Sequence, residues 1–346
     1  MNNEIIRQFS LLLDKNKTKY TYTKSQNIND EKEIKILEYK ISAIENTIRA
    51  LKDLDFEITN EKQLIGIPYI GANSRKRIAE ILRTGHLSEL SLTTTPRDAK
   101  IKDIQELSSI IGIGKKNIKN LVLTHKISSI KELQEAIRNN SIKVNRTVIL
   151  GLKYHSSLQK SIPRKEITEI KNYLIKKAKI IDPSLKITIY GSYSRGCSRS
   201  GDIDVMLYHP EIVNAKQIKD NPYLYKFVNY LIEQHFIIDS ITDKNYLVSY
   251  MGFCKYRSED VKRIDIKYVP MESIHTAKLY FTGPEELNRY MRHEAKRRNL
   301  ILNEHGLFDK ETNNPIKIES EHDIFTKLNM NYETPKERQL WKSSTC

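Results

Sequence analysis

The chain has 346 residues, of which 58 are Lys or Arg and 43 Asp or Glu, giving a formal charge of +15. With 39% hydrophobic residues it can fill several modest cores, which excludes wholesale disorder. No run approaches the roughly 18 apolar residues of a membrane span, no basic leader precedes the short apolar patch near the N-terminus, and Cys197, Cys254 and Cys346 are too scattered for a disulfide framework or a zinc cluster. The expectation is a soluble, intracellular, reduced protein, and a pI near 9.4 favours polyanionic partners, nucleic acid or an anionic membrane surface.

In chain order, residues 1–30 are polar and weakly patterned, ending in KNKTKYTYTKSQNIND, and read as a flexible arm. From Glu31 the pattern turns helical: Ile34, Leu37, Ile41, Ile44, Ile48 and Leu51 recur at three- and four-residue steps and share one face. A short helix then leads into a turn at Pro68 to Gly71. A second helix runs through Ile78, Ile81 and Leu82 to a stop at Gly85. The same plan recurs in ELSSIIGIGKKNIKNLVLTHKISSIKEL, where Gly112 and Gly114 form a Gly-x-Gly hairpin between two apolar helices, and SLTTTPRDAK between the two units reads as a linker. Residues 165–180 are helical. Beyond them KITIYGS, DIDVMLY and RIDIKYV alternate with a period of two, which predicts strands. From about residue 271 the chain is mixed and more basic, with MRHEAKRRN on one helix. The whole reads as α+β: helical modules, an α/β core and a small α+β end domain.

The sharpest chemical signal is TIYGSYSRGCSRSGDIDVMLYHP. A strand ends in Gly191-Ser192, and the next carries Asp202 and Asp204, which project to one side while Ile203 and Val205 face the core. Paired carboxylates are costly to keep ionised unless a cation lies between them, and oxygen ligands suit Mg²⁺ or Mn²⁺. Gly191 lets the backbone turn tightly against a ligand. Ser192, Arg195 and nearby amides would then cradle phosphate oxygens. A bare D-x-D is usually an ordinary exposed pair; a Gly-Ser turn followed by a second acidic strand is a far more specific pattern. In VKRIDIKYVP, Arg263, Asp265 and Lys267 share one face. If this strand pairs beside the first acidic one, Asp265 joins Asp202 and Asp204, and three carboxylates can hold two divalent ions for in-line phosphoryl transfer. Alone, Asp265 between two cations would read as a structural ion cluster.

The hairpins are a separate signal. Such a turn exposes backbone amides to a DNA phosphate without reading sequence, and Lys115, Lys116 and Lys119 add charge beside Gly114. A glycine cap before a solvated basic helix is the bland alternative. Two hairpins together with the basic surplus favour nucleic acid. Abundant Ile, Asn and Lys also fit an AT-rich genome, such as that of a large DNA virus or an AT-rich microbe, but codon bias alone would not leave so large a basic excess.

These residues resemble the family X DNA polymerases, of the polymerase beta type. The resemblance rests on GSYSRGCSRSGDIDVMLYHP, the two hairpins, GLKYHSSLQKSIPRKEI, RIDIKYVP, LYFTGPEELNRYMR and KIESEHDIFTKLNMNYETPKER, in family order from about residue 35 to the C-terminus. It implies a lyase-type helical domain with the first helix-hairpin-helix (31–95), a helical module with the second (96–160), a nucleotidyltransferase palm with a mixed sheet (161–270) and a nucleotide-selecting thumb (271–346). By the same resemblance Asp202 and Asp204 bind two Mg²⁺ ions, for which Mn²⁺ may substitute, and Asp265 binds the catalytic one. Arg164, Gly191, Ser192, Arg195 and Gly201 fall where the family contacts the triphosphate. Tyr280, Phe281 and Gly283 pack on the incoming sugar, and Asn288 and Arg292 read the minor groove of the new pair. Lys40, Gly71, Arg77, Gly112, Gly114, Lys115, Lys116 and Arg263 fall on the DNA side.

The chain departs from the family at several places. Arg77 stands at the lyase nucleophile's position, and a guanidinium stays protonated and cannot form a Schiff base at useful rates. Asn73 replaces a phosphate-binding lysine, Lys40 is retained, and Tyr69 replaces a hairpin glycine. Weak or absent 5′-deoxyribose-phosphate excision is therefore expected, with Lys76 as the substitute to test. Lys267 stands where the family often has arginine, and Gly283-Pro284 replaces a Gly-Ser bond that is cis in the family. The expected function is a monomeric DNA-directed DNA polymerase that fills short gaps in base excision repair, using dNTPs on gapped or nicked DNA, without proofreading, in the nucleus, a viral factory or the cytoplasm. The alternatives are a template-independent nucleotidyltransferase and a non-catalytic DNA-binding scaffold.

Overall fold

Ile5, Phe9 and Leu12 recur at steps of four and three residues, and in the computed structural model they line the buried face of a helix, α1 (Asn3–Ser25). The flexible arm expected for the first thirty residues is corrected accordingly over that span. The stripe is short and followed by a Lys/Thr run that looks unstructured. Yet the hydroxyls of Thr18, Thr21 and Thr23 each donate to the carbonyl four residues back, so these side chains are satisfied within the helix. The structure describes residues 2–25, 31–54, 56–91, 96–243, 246–257 and 260–341. The chain divides into two units, Met1–Lys153 and Tyr154–Cys346.

In the first unit α1 packs on α2 (Glu31–Asp53), and both cover the first hairpin with Ile44, Ile48, Leu51, Ile70 and Ile78 in one core. The helices of that hairpin are a 3₁₀ turn at Glu61–Leu64, capped by Asn60, and α3 (Ala72–Thr84), which stops at Gly85 as its spacing predicts. A single turn, α4 (Ser88–Ser91), follows. Part of the expected linker is corrected: from Pro96 it is already helix, in α5 (Pro96–Ser108), since proline is tolerated in a first helical turn; residues 92–95 lie outside the described residues. The second hairpin joins α5 to α6 (Lys115–Leu123), with α7 (Ile130–Arg138) and α8 (Arg146–Leu158) closing its core through Leu107, Ile113, Leu133 and Val148.

The second unit opens with β1 (Ile162–Pro163) and α9 (Arg164–Ile181), then β2 (Lys186–Ile189), the turn α10 (Gly191–Ser194), β3 (Arg199–Ser200), which pairs with β1, and β4 (Ile203–Tyr208). After α11 (Ala215–Asp220) and α12 (Tyr223–Glu233) come β5 (Ile237–Ser240), β6 (Ser249–Cys254) and β7 (Lys262–Tyr268). The five-stranded sheet has the order β2-β4-β7-β6-β5. It is mixed, since β4 and β7 run parallel and every other pairing is antiparallel. Ile203, Val205 and Leu207, with Ile264 and Ile266, pack on Ile167, Ile170, Leu174 and Phe227 of α9 and α12. Strand alternation therefore turns Asp204 and Asp265 to the opposite face. The chain continues through α13 (Ile274–Thr282) and α14 (Glu285–Arg297) into an antiparallel sheet of β8 (Leu300–Asn303), β9 (Gly306–Asp309) and β10 (Pro315–Ile316), and then α15 (Glu321–Lys327). Beyond α15, Arg338 is fully buried, lies over the rings of Phe325 and Tyr332, and pairs its charge with Glu321 at 2.7 Å without hydrogen-bond alignment. No helix among the described residues is long and apolar enough to cross a membrane.

Phe9 is wholly buried in the first core. Phe9→Ala is expected to destabilise that unit by about 3–5 kcal/mol, read by chemical denaturation. An unchanged midpoint would mean that α1 does not belong to the core.

Candidate active site

The acidic cluster is assembled by strand register. In the parallel pair, Asp204 of β4 lies opposite Asp265 of β7, and Asp202 stands one residue before β4 begins. One carboxylate oxygen from each of Asp202, Asp204 and Asp265 lies within 4.8 Å of the others. Burial, then repulsion from Asp202 and Asp265, raises the Asp204 carboxyl to about 7, with Arg263 and Arg195 working in the other direction. Arg263 shares a face with Asp265 and grips it through both nitrogens, Nη2 to Oδ2 at 2.6 Å and Nε to Oδ1 at 3.1 Å. Even with this partner the cluster is short of positive charge. Its all-carboxylate donor set fits a hard divalent cation.

The turn after β2 is pressed against this cluster. The Tyr190 amide donates to the Asp204 carbonyl at 2.8 Å, and Gly191 follows with φ of +61°. A Cβ on Gly191 would fall 2.0 Å from the Asp204 Oδ2, so the conformation favours glycine and a side chain here would have to displace the Asp204 carboxylate. A cavity of about 490 Å³ opens here. The α10 side supplies Gly191, Ser192 and Arg195, the acidic strand Gly201, Asp202 and Asp204, and the far wall Tyr280, Phe281, Gly283, Asn288 and Arg292.

The far wall is held by its own backbone. Tyr280 and Phe281 meet edge to face with centroids 5.2 Å apart. The Gly283-Pro284 bond is cis, and Asn288 donates from Nδ2 to the Tyr280 carbonyl at 2.7 Å. Arg292 lies one helical turn beyond Asn288 on α14. Arg195 is buried and bridges the walls: Nη1 donates to the Thr282 carbonyl at 2.5 Å and Nε to the Gln339 Oε1 at 2.8 Å. Burial lowers the pKa of its guanidinium, with Asp204 opposing.

Arg164 does not line the cavity. It braces the turn, donating to the carbonyls of Tyr193 and Cys197 at 2.6 and 3.3 Å and lying 4.2 Å over the Tyr193 ring. Gln339 and Glu286 are site residues the sequence reading missed. Glu286 lines the cavity and attracts Arg195; nothing in the local sequence around Gln339 signals its contact. Cys254 is a free, buried thiol.

The remaining DNA-side candidates belong to the first unit. Gly71 and Gly114 are the N-caps of α3 and α6, both extended and neither with a side-chain cap, which leaves first-turn amides for an anion. Gly112 has φ of +91°. Lys40 and Lys116 are exposed, and the side chain of Lys115 lies outside the described residues. Arg77 is engaged by both oxygens of Glu89, at 2.9 and 3.2 Å.

An Asp204 carboxyl raised from 3.8 to about 7 keeps its proton in the folded protein where the unfolded chain has lost it. The folded state therefore loses stability as pH rises through about 7. Asp204→Asn, measured in a chelating buffer, should gain more in Tm over the wild type at pH 8 than at pH 5. Added Mg²⁺ should raise the wild-type Tm mainly at pH 8. Equal differences at both pH values would remove the charge-repulsion account.

Three family descriptions match the chain in order: helix-hairpin-helix domain over residues 2–87, DNA polymerase beta palm over 161–271 and DNA polymerase beta thumb over 277–339. Among curated proteins, DNA polymerase lambda of Arabidopsis thaliana is 28% identical over 314 residues, covering 85% of this chain and 56% of the relative. DNA polymerase lambda of Rattus norvegicus is 26% identical over 306 residues, with coverages of 84% and 51%. DNA nucleotidylexotransferase of Xenopus laevis is 26% identical over 323 residues, with coverages of 83% and 62%. The chain thus spans about half to three-fifths of the length of the curated relatives it matches. A palm whose two acidic strands run side by side, a glycine turn seated on the central carboxylate, and palm, thumb and hairpin matches in the same order make the chain a member of the family X DNA polymerases.

Proposed function

We propose that the protein is a DNA-directed DNA polymerase that fills short gaps in DNA repair, working as a monomer inside the cell on gapped or nicked DNA with dNTPs. The observation that carries this reading is the parallel register that sets Asp204 beside Asp265 under the Gly191 turn. Asp202 and Asp204 would hold two Mg²⁺ ions, and Asp265 the one nearer the primer 3′-hydroxyl. When bound, such ions supply charge stabilisation to the transferred phosphoryl group and ease deprotonation of the attacking hydroxyl.

The protein's own contribution is positioning. Ser192, Arg195 and the turn amides would orient the triphosphate. Tyr280 and Phe281 would flank the sugar, and Asn288 and Arg292 would sense the new pair. Arg263 holds Asp265 in place. The hairpins would grip the DNA backbone without reading sequence, Gly71 and Gly114 through uncapped amides and Lys40, Lys115 and Lys116 through charge.

The test is nucleotide addition on a one-nucleotide gapped duplex. Asp265→Asn should lower the rate by about 100-fold or more, the scale for losing one preorganised electrostatic group, while the Kd for gapped DNA changes little. Near-normal addition by that variant would overturn the assignment. A second reading, template-independent addition, draws support from the likeness to a DNA nucleotidylexotransferase. Primer extension with and without a template strand separates the two, and the gap-filling reading requires addition that depends on template.

Excision of 5′-deoxyribose phosphate is expected to be weak or absent. A guanidinium offers no free amine to attack an aldehyde, and Arg77 is held by Glu89. Borohydride reduction on a 5′-incised abasic duplex should trap little covalent adduct. Strong trapping that disappears in Lys76→Ala would instead assign the amine to Lys76.

A further inference from the structure

The two hairpins differ at one point, and the difference is visible within this chain. Counting back from the helix N-caps, Gly71 matches Gly114, with φ of −74° and −83° and ψ of 177° and 175°. Ile70 matches Ile113, and both are buried. The next residue back is in the left-handed region in each hairpin: Gly112 in the second, with φ of +91°, and Tyr69 in the first, with φ of +66°. Glycine is the ordinary occupant of that conformation, and a bulky side chain there is an outlier.

The second hairpin is tight at that point. A Cβ on Gly112 would meet Thr147 and Val148 of α8 at 3.1 Å. In the first hairpin the position opens to solvent, and Tyr69 is 71% exposed, beside Ile65 at 67%. The backbone that carries the ring is fixed. The buried Thr47 of α2 places Oγ1 3.0 Å from the Tyr69 carbonyl, 2.9 Å from the Ala43 carbonyl and 3.0 Å from the Ser74 hydroxyl, its one proton shared between the two carbonyls. Arg75 donates to the neighbouring Ile70 carbonyl at 3.1 Å. About two turns back along α2 from Thr47 stand Tyr39, 78% exposed, and the exposed Lys40.

We propose that Tyr69 is a base-stacking residue: its ring takes the face of an unpaired base in the DNA that the first hairpin holds, whereas the second hairpin, with glycine at the same point, meets only backbone. This rests on the reading of the chain as an enzyme of gapped DNA. An exposed ring on a fixed backbone loses little entropy when it stacks. Stacking is indifferent to base identity, which suits a repair substrate of any sequence. In an intact duplex both faces of every base are covered, so the partner has to be a base left unpaired in a gap or at a frayed end. Lys40 on α2, Lys62 before the turn and Lys76 on α3 are all exposed and add charge for the phosphates of such DNA.

The test uses the full chain with Tyr69→Gly and Tyr69→Phe. DNA binding is measured on a gapped duplex with several unpaired template bases, one of them 2-aminopurine, and on the fully paired duplex. The wild type should bind the gapped DNA more tightly and quench the 2-aminopurine. Tyr69→Phe should retain both properties. Tyr69→Gly should keep its Tm, because glycine suits the left-handed backbone, yet lose about 5- to 100-fold in affinity for the gapped DNA, with the quench abolished and binding to paired duplex unchanged. Full affinity and quench in Tyr69→Gly would overturn the stacking role while leaving the gap-filling reading intact, and an equal loss on both DNAs would overturn it as well. Failure of the wild type to bind gapped DNA would instead sink the functional reading on which the inference rests.

Discussion

Parallel pairing of β4 with β7 brings Asp204 and Asp265 side by side, and the rest of the palm is arranged around the resulting negative charge. Two strands from distant parts of the chain must run in the same direction for this register to exist. Their Ile203, Val205, Ile264 and Ile266 side chains, locked against α9 and α12, hold it. The hydrophobic face thus supplies the stability, while the opposite face carries a cluster that repels itself. Burial and neighbouring carboxylates raise Asp204 to about 7, so the metal-free site holds its acids in an unfavourable state that a divalent cation would relieve.

Arginine answers that charge in two ways. Arg263 grips Asp265 directly. Arg195 is attracted to Asp204 but spends its hydrogen bonds on Thr282 and Gln339. The residue expected to meet a triphosphate is therefore already tied to α13 and to the segment beyond α15. That segment is anchored in turn by the buried Arg338, which pairs with Glu321 and lies over two aromatic rings. A ligand that drew on Arg195 would therefore compete with groups on that wall.

The hairpins show how one local design takes on different tasks. Both present an uncapped helix N-terminus after a glycine, and both bury an isoleucine just before it. They diverge because α8 covers one turn closely and leaves little space for a side chain, while the other turn is open. Arg77 is engaged in the same unit: its ion pair with Glu89 braces α3 against α4.

Much of this architecture can be read from residue order alone. Period-two alternation in DIDVMLY and RIDIKYV determines that Asp202, Asp204 and Asp265 leave the apolar face, and the Gly-Ser turn before the first acidic strand marks one wall of the cavity. These are local properties, set by backbone geometry that each segment carries with it. The N-terminal segment misled because a three-residue stripe, Ile5, Phe9 and Leu12, has too little apolar surface to stand out beside a Lys/Thr run. It becomes a helix only by burying that stripe against α2 and the first hairpin. The contact between Arg195 and Gln339, the position of Arg164 beneath the Tyr193 and Cys197 carbonyls, and the close packing that crowds a side chain at Gly112 but not at Tyr69 all depend on segments far apart in the chain. Only tertiary packing decided them, because each depends on the space another element leaves.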